Sequence, residues 1–168
     1  MENFLAQLRE DAAACETHIK ALLAAVPEPA AQLHEAMAYA VLNGGKRMRA
    51  ALVFGAARMA VGQDADAAPS EAMLRTAAAI EFLHAYSLVH DDLPAMDNAA
   101  TRRGQPSCHI KFDESTAILA GDALQTMAFE ILADPRTHAD AAVRIQLVAT
   151  LAKAAGLQGM AGGQMLDL

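Results

Sequence analysis

His84-Ala85-Tyr86-Ser87-Leu88-Val89-His90-Asp91-Asp92-Leu93-Pro94-Ala95-Met96-Asp97 is the stretch that decides how this chain is read. It begins as an apolar helix and ends with three carboxylates inside seven residues. Residues seven apart on a helix return to nearly the same face, so His84 and Asp91 belong together. Asp97 would not align with Asp91 on an unbroken helix, but Pro94 allows a bend that brings it back. Carboxylates gathered at a helix end suit a hard divalent ion, and magnesium is often held by one or two carboxylates plus substrate phosphates. Taken singly, an Asp-Asp pair is more often a solvated helix end, and a lone histidine such as His84 is more often a core residue.

Helical patterning extends in both directions from this segment. Phe4, Leu8, Cys15, Ile19, Leu22 and Val26 follow helical spacing, and Pro27-Glu28-Pro29 ends that helix. A second helix is expected over 30–42, with Leu33, Met37, Ala40 and Val41 on one stripe, stopped by Asn43-Gly44-Gly45. A third is expected over 46–61, and 62–68 reads as a loop. The fourth starts after Pro69-Ser70, with Ser70 as N-cap and Glu71 in the first turn, and runs to about Asp92. Residues 98–113 read as a loop, 115–133 and 139–155 as helices, 156–163 as a flexible joint, and 164–168 as the start of another helix. The ending within that helix suggests a truncated piece of a longer chain.

Composition agrees with an all-α fold. The 168 residues are 54% hydrophobic but only 4% aromatic, without Trp, and strong helix formers dominate. One domain of this size buries a substantial core. The formal net charge of −7 argues against a nucleic-acid partner, which would want a basic face. The N-terminus lacks the basic start and apolar run of a signal peptide, and no uncharged apolar stretch approaches a membrane span. A cytoplasmic location is expected. Cys15 and Cys108 make neither a metal motif nor a disulfide framework and read as two free thiols.

Two basic clusters change the weight of the acidic one. In Gly44-Gly45-Lys46-Arg47-Met48-Arg49, Lys46 and Arg49 are three apart and would share a helix face, near amides that favour anions. Thr101-Arg102-Arg103-Gly104 follows the acidic segment, and arginine forks suit bidentate phosphate contacts. Either cluster alone is more often surface charge. No nucleophile–base arrangement is present to suggest covalent catalysis.

Together, Gly-Gly-Lys-Arg-x-Arg, Asp-Asp-Leu-Pro-Ala-Met-Asp and the following Arg-Arg-Gly resemble the trans-polyprenyl diphosphate synthase family, the bacterial farnesyl diphosphate synthases above all. The segments 109–112, 117–128 and Gly162-Gly163-Gln164-Met165-Leu166-Asp167-Leu168 extend the match over nearly the whole chain. The resemblance implies an all-α antiparallel helical bundle of the isoprenoid synthase type, usually a homodimer. It implies magnesium held by Asp91, Asp92 and Asp97 against an allylic diphosphate, with Arg102 contacting that diphosphate. It gives Lys46, Arg49, His84 and Arg103 to the diphosphate of isopentenyl diphosphate, with dimethylallyl or geranyl diphosphate as co-substrate. Gln164 and Asp167 would support the site from behind, and Asp122 would be structural. Tyr86 and Ser87, about one turn before Asp91, would form a floor that limits chain length and favours a farnesyl product.

Ala50 stands where the family usually has proline, and Asn98-Ala99-Ala100-Thr101 is less acidic than in many relatives. A second aspartate-rich motif and a lysine that the family carries further on do not occur here. The 168 residues alone are therefore expected to lack useful turnover and to associate through exposed apolar faces. The alternatives are a non-catalytic subunit of a heteromeric synthase, a geranyl or geranylgeranyl diphosphate synthase, and a terpene cyclase. The Lys46/Arg49 cluster disfavours the last, which needs no second diphosphate pocket.

Overall fold

A computed structural model describes residues 2–25, 30–64 and 66–168, without the side chains of residues 2 and 3. Helix α1 spans Glu2–Ala24, α2 Ala31–Leu42, α3 Met48–Val61 and α4 Glu71–Asp91. A small hairpin of β1 (Thr101–Arg102) and β2 (Gln105–Pro106) follows, then the single turn α5 (Cys108–Lys111). Helices α6 (Glu114–Ala133), α7 (Ala141–Ala155) and α8 (Met160–Asp167) complete the chain.

The caps explain the boundaries. Ser70 accepts the Met73 N–H at the start of α4, as expected. Asp113 accepts the Thr116 N–H at 2.7 Å, and Asp140 the Ala142 N–H at 2.8 Å, so α6 and α7 begin one residue after a capping aspartate. Val26 and the Pro27-Glu28-Pro29 stop lie outside the described residues. Of the first stripe, Cys15 and Ile19 are fully buried, Leu23 is buried more deeply than Leu22, and Phe4 is exposed.

Three expectations need correction. Arg47 takes a left-handed conformation (φ 49°), so α3 starts at Met48 and leaves Lys46 outside it. The helical alignment of Lys46 with Arg49 therefore does not exist. The expected joint over 156–163 is helical from Met160, where the Gly163 N–H reaches Gly159 O at 2.8 Å. The loop over 98–113 also holds structure: Arg103 (φ 53°) and Gly104 (φ 78°) give the two-residue turn that matches hairpin twist.

Helices α4 and α6 form the centre, antiparallel to each other. Near one end Arg75 meets Asp134 and Thr137; near the other His90 meets Ile118. Helices α1 and α3 also run antiparallel, with Asp11 against Arg58 and Glu16 against Arg47. The core runs through Ile19, Val41, Phe54, Phe82, Leu124 and Leu132, each at most 3% exposed. Helix α6 is, among the described residues, the one helix long and apolar enough to cross a membrane by length and composition. It carries Asp122 and Glu130 and packs in the centre of the bundle, as core helices do.

Candidate active site

The acidic end of α4 is built by its own turn. The Asp97 N–H donates to Asp91 O at 2.9 Å, the Asn98 N–H to Leu93 O at 3.0 Å and the Ala99 N–H to Asp92 O at 3.1 Å. Asn98 takes a left-handed φ of 50° to close the turn. Asp97 is thereby folded back on Asp91, as the Pro94 bend anticipates. Partial burial, then the charge of Asp97, hold the Asp91 carboxyl above the usual carboxylate range, with Arg102 pulling the other way. A carboxylate held close to a second negative charge favours a cation between them. Gln164 of α8 donates to Asp91 Oδ1 at 2.6 Å, so the C-terminal helix touches this pair directly.

Asp92 has different surroundings. It is buried, and its two oxygens lie 3.0 and 3.2 Å from Arg102 Nε, with Nη2 adding a further bond. Arg102, on β1, is also 4.0 Å from Asp91. The structure thus brings Asp91 and Asp97 together and turns Asp92 towards the arginine.

His84 stands two turns before Asp91 on the same helix, and cations from the start of α3 and from the hairpin gather round it. Arg49 Nη1 lies 3.3 Å from His84 Nε2. Burial first, then Arg49, Arg103, Arg102 and Arg47, push the His84 pKa down to about 4, so the ring is neutral and accepts from Arg49. Arg103 donates to the carbonyls of Asn43 and Gly44. Its guanidinium lies on Gly45, where a Cβ would come within 2.7 Å of Nη1. Gly45 is required there both for that contact and for its φ of 115°. Lys46 and Arg49 are exposed beside this group. A cluster in which arginines depress a neighbouring histidine is short of negative charge, which an anionic ligand supplies.

A cavity of about 580 Å³ adjoins the carboxylates. Its apolar lining includes Tyr86 and Leu88 of α4, Ile118 of α6, and Met160 and Met165 of α8; Asp91 and Gln164 also border it. Tyr86 packs edge-on against His90 with ring centres 4.9 Å apart. Ser87 lines the cavity too, but its hydroxyl is used locally, donating to His84 O at 2.8 Å.

Among the described residues no group of three or more His, Cys, Asp or Glu side chains is arranged to hold a metal ion. The Asp91–Asp97 pair nevertheless fits magnesium, which can take its remaining oxygens from a diphosphate and water. Cys15 and Cys108 are free, as expected, and burial raises them to about 12 and about 11, which disfavours the reactive thiolate. Asp122 is exposed on α6, 3.8 Å from His90. Sequence reasoning passed over Glu81, buried in mid-helix beside Arg47, although a lone acid within Ala79-Ile80-Glu81-Phe82-Leu83 was a visible signal.

Paired carboxylates, a cationic group and an apolar cavity on an all-α bundle define an isoprenoid-synthase type of protein. The chain belongs to the polyprenyl synthetase family, which matches residues 30–168. It is 46% identical over 168 residues to the farnesyl diphosphate synthase of Haemophilus influenzae, covering all of this chain and 55% of that protein. It is 52% identical over 136 residues to the Escherichia coli farnesyl diphosphate synthase, covering 80% of this chain and 43% of that one. The apo crystal structure of a FPP/GFPP synthase from Zymomonas mobilis superposes with a TM-score of 0.87 at 42% identity, over 98% of this chain and 57% of that one. The chain thus spans about half the length of the relatives it matches.

Proposed function

We propose that the protein takes part in magnesium-dependent head-to-tail condensation of isopentenyl diphosphate with dimethylallyl or geranyl diphosphate, giving farnesyl diphosphate. The observation that carries this is that α4 and the turn closing it present the arginine-ringed His84 and the Asp91–Asp97 pair at successive levels, with an apolar cavity adjoining the carboxylates. Asp91 and Asp97 would hold magnesium, which neutralises the allylic diphosphate as it leaves. Asp92 would act through Arg102, holding that guanidinium close to the same diphosphate. Lys46, Arg49, His84 and Arg103 would bind the isopentenyl diphosphate, so that its double bond is held against the ionising allylic carbon. The carbon–oxygen bond breaks, the new carbon–carbon bond forms, and a proton is lost, in the family's manner to the released diphosphate. Tyr86, packed on His90 in the cavity wall, would stop the tail at a short length. A cytoplasmic homodimer is the proposed form of the whole protein.

The relatives are nearly twice as long, which supports a role for these residues as the diphosphate-binding half of a larger catalytic unit. The 168 residues by themselves should bind diphosphates yet turn over poorly. The test is incubation of a form as long as the relatives with magnesium, dimethylallyl diphosphate and isopentenyl diphosphate, with product lengths read by chromatography. Farnesyl diphosphate, lost on chelation, is expected. A longer product would retain the prenyl transfer and discard the Tyr86 floor. No product from a folded, magnesium-replete sample would favour a non-catalytic subunit.

A further inference from the structure

We infer that Glu81 is a positioning residue: from inside the bundle it sets the shape of the arginine cradle that holds isopentenyl diphosphate, without touching the substrate. This rests on the diphosphate reading of the cradle given above. Glu81 is 4% exposed in the middle of α4, and a carboxylate there is unfavourable unless it is paired. Both of its partners lie at the start of α3. Its Oε2 is 3.5 Å from Arg47 Nη1, and its Oε1 accepts the Ala50 N–H at 3.1 Å.

Arg47 is itself unusual. Its side chain is 3% exposed, its backbone is left-handed, and its Nε and Nη2 lack hydrogen-bond partners, with Glu16 3.7 Å from Nη2. A non-glycine residue held there, with buried donors unmatched, persists only when its surroundings over-determine it. What the arrangement provides is an inward-turned Arg47 between two outward cations, Lys46 and Arg49. Two residues before Arg47, Gly45 has no side chain to keep the Arg103 guanidinium from lying against its backbone. Glu81 is the buried group that grips both sides of this bend, Arg47 on the cap and Ala50 in the first turn. His84 follows it by three residues on α4, so one helix carries both the inner anchor and a wall of the cradle.

Glu81→Gln separates positioning from charge, because the two act with opposite sign. Removing a negative charge close to the arginines would, by electrostatics alone, tighten the binding of an anion. Loss of the Arg47 anchor would let the bend relax and weaken it. The experiment titrates isopentenyl diphosphate into the full 168-residue chain and into Glu81→Gln by calorimetry, with the folded fraction of each measured by circular dichroism. Binding about tenfold weaker per folded molecule is expected, equivalent to about 1.4 kcal/mol. Unchanged or tighter binding overturns the inference, as does a fall in Tm with the affinity of the folded fraction preserved, which is the mark of a merely structural role. If Glu81→Gln does not fold, Arg47→Lys, which keeps a cation and leaves the Ala50 bond, carries the same expectation and the same overturning result. Absence of binding by the unsubstituted chain overturns the diphosphate reading of the cradle, and this role with it.

Discussion

The imidazole of His90 fills the space that a side chain at position 121 would need: a Cβ on Gly121 would fall 2.1 Å from His90 Nε2. The same nitrogen lies 3.0 Å from Ile118 O, so α4 is closed onto α6 one residue before Asp91. Alanine is intrinsically the better helix former by about 1 kcal/mol. Gly121→Ala should nonetheless destabilise the fold by about 1–3 kcal/mol, because the ring has to be displaced. In a His90→Ala background the same change should be far milder. Urea unfolding of the four proteins of this cycle measures it, and equal costs in both backgrounds would refute the contact.

Adjacent aspartates should give opposite phenotypes. Asp91→Asn should leave the fold nearly as stable and remove magnesium-dependent binding of dimethylallyl diphosphate. Asp92→Ala should destabilise the protein by about 1–3 kcal/mol, because it strips the buried partner from Arg102. Thermal melts paired with calorimetric titrations check both. A stability loss as large for Asp91→Asn as for Asp92→Ala would contradict the division of labour.

His84 makes the bundle sensitive to acid. An unfolded histidine protonates near pH 6.5, whereas the folded one does so only near 4, because burial and then Arg49 disfavour its charge. Between those values the unfolded state holds more protons. The stability associated with neutral His84 is therefore complete above pH 6.5 and is lost as pH falls towards 4. His84→Gln should flatten this part of the Tm–pH curve. Adding inorganic diphosphate should raise the His84 pKa by offsetting the arginines, visible as a shifted imidazole resonance in an NMR titration. An unmoved resonance would count against an anion in the cradle.

Far from the carboxylates, Asp11 and Arg58 form a bidentate pair with two contacts of 2.7 Å, both side chains about 95% buried. Removing one partner strands the other without water. Asp11→Ala should cost about 3–5 kcal/mol by urea unfolding while leaving the isopentenyl diphosphate affinity of the folded protein unchanged. A cost under about 1 kcal/mol would show that the pair is solvated in solution.

Much of the fold was legible because helices announce themselves locally. Ser70 and Pro135 punctuate the sequence where α4 begins and α6 has just ended, and the apolar spacing within those two helices is helical. Asp113 and Asp140 cap α6 and α7, and the helix starts expected at 115 and 139 passed over both. The misplaced start of α3 has a tertiary cause. Nothing in Lys46-Arg47-Met48-Arg49 marks Arg47 as left-handed, since its conformation is held by Glu81, 34 residues away. The helical reading of Met160-Ala161-Gly162-Gly163 was hidden for the complementary reason: two glycines weaken local propensity, and the Gly159 and Gly163 backbone bonds prevail over it.

By itself the sequence determined the all-α class, the long helices that carry the site, and the residue types that chemistry with magnesium and diphosphates would need. These follow from periodicity, caps and charge, which act over a few residues. Only the tertiary structure decided how those residues are divided. Asp91 faces Asp97 and Gln164, Asp92 faces Arg102, and His84 is neutral because it is partly buried and then because arginines from two separate segments surround it. The physical reason is that burial and the distance between charges are set by how helices pack, and three aspartates equal in sequence become unequal once one of them is taken out of water.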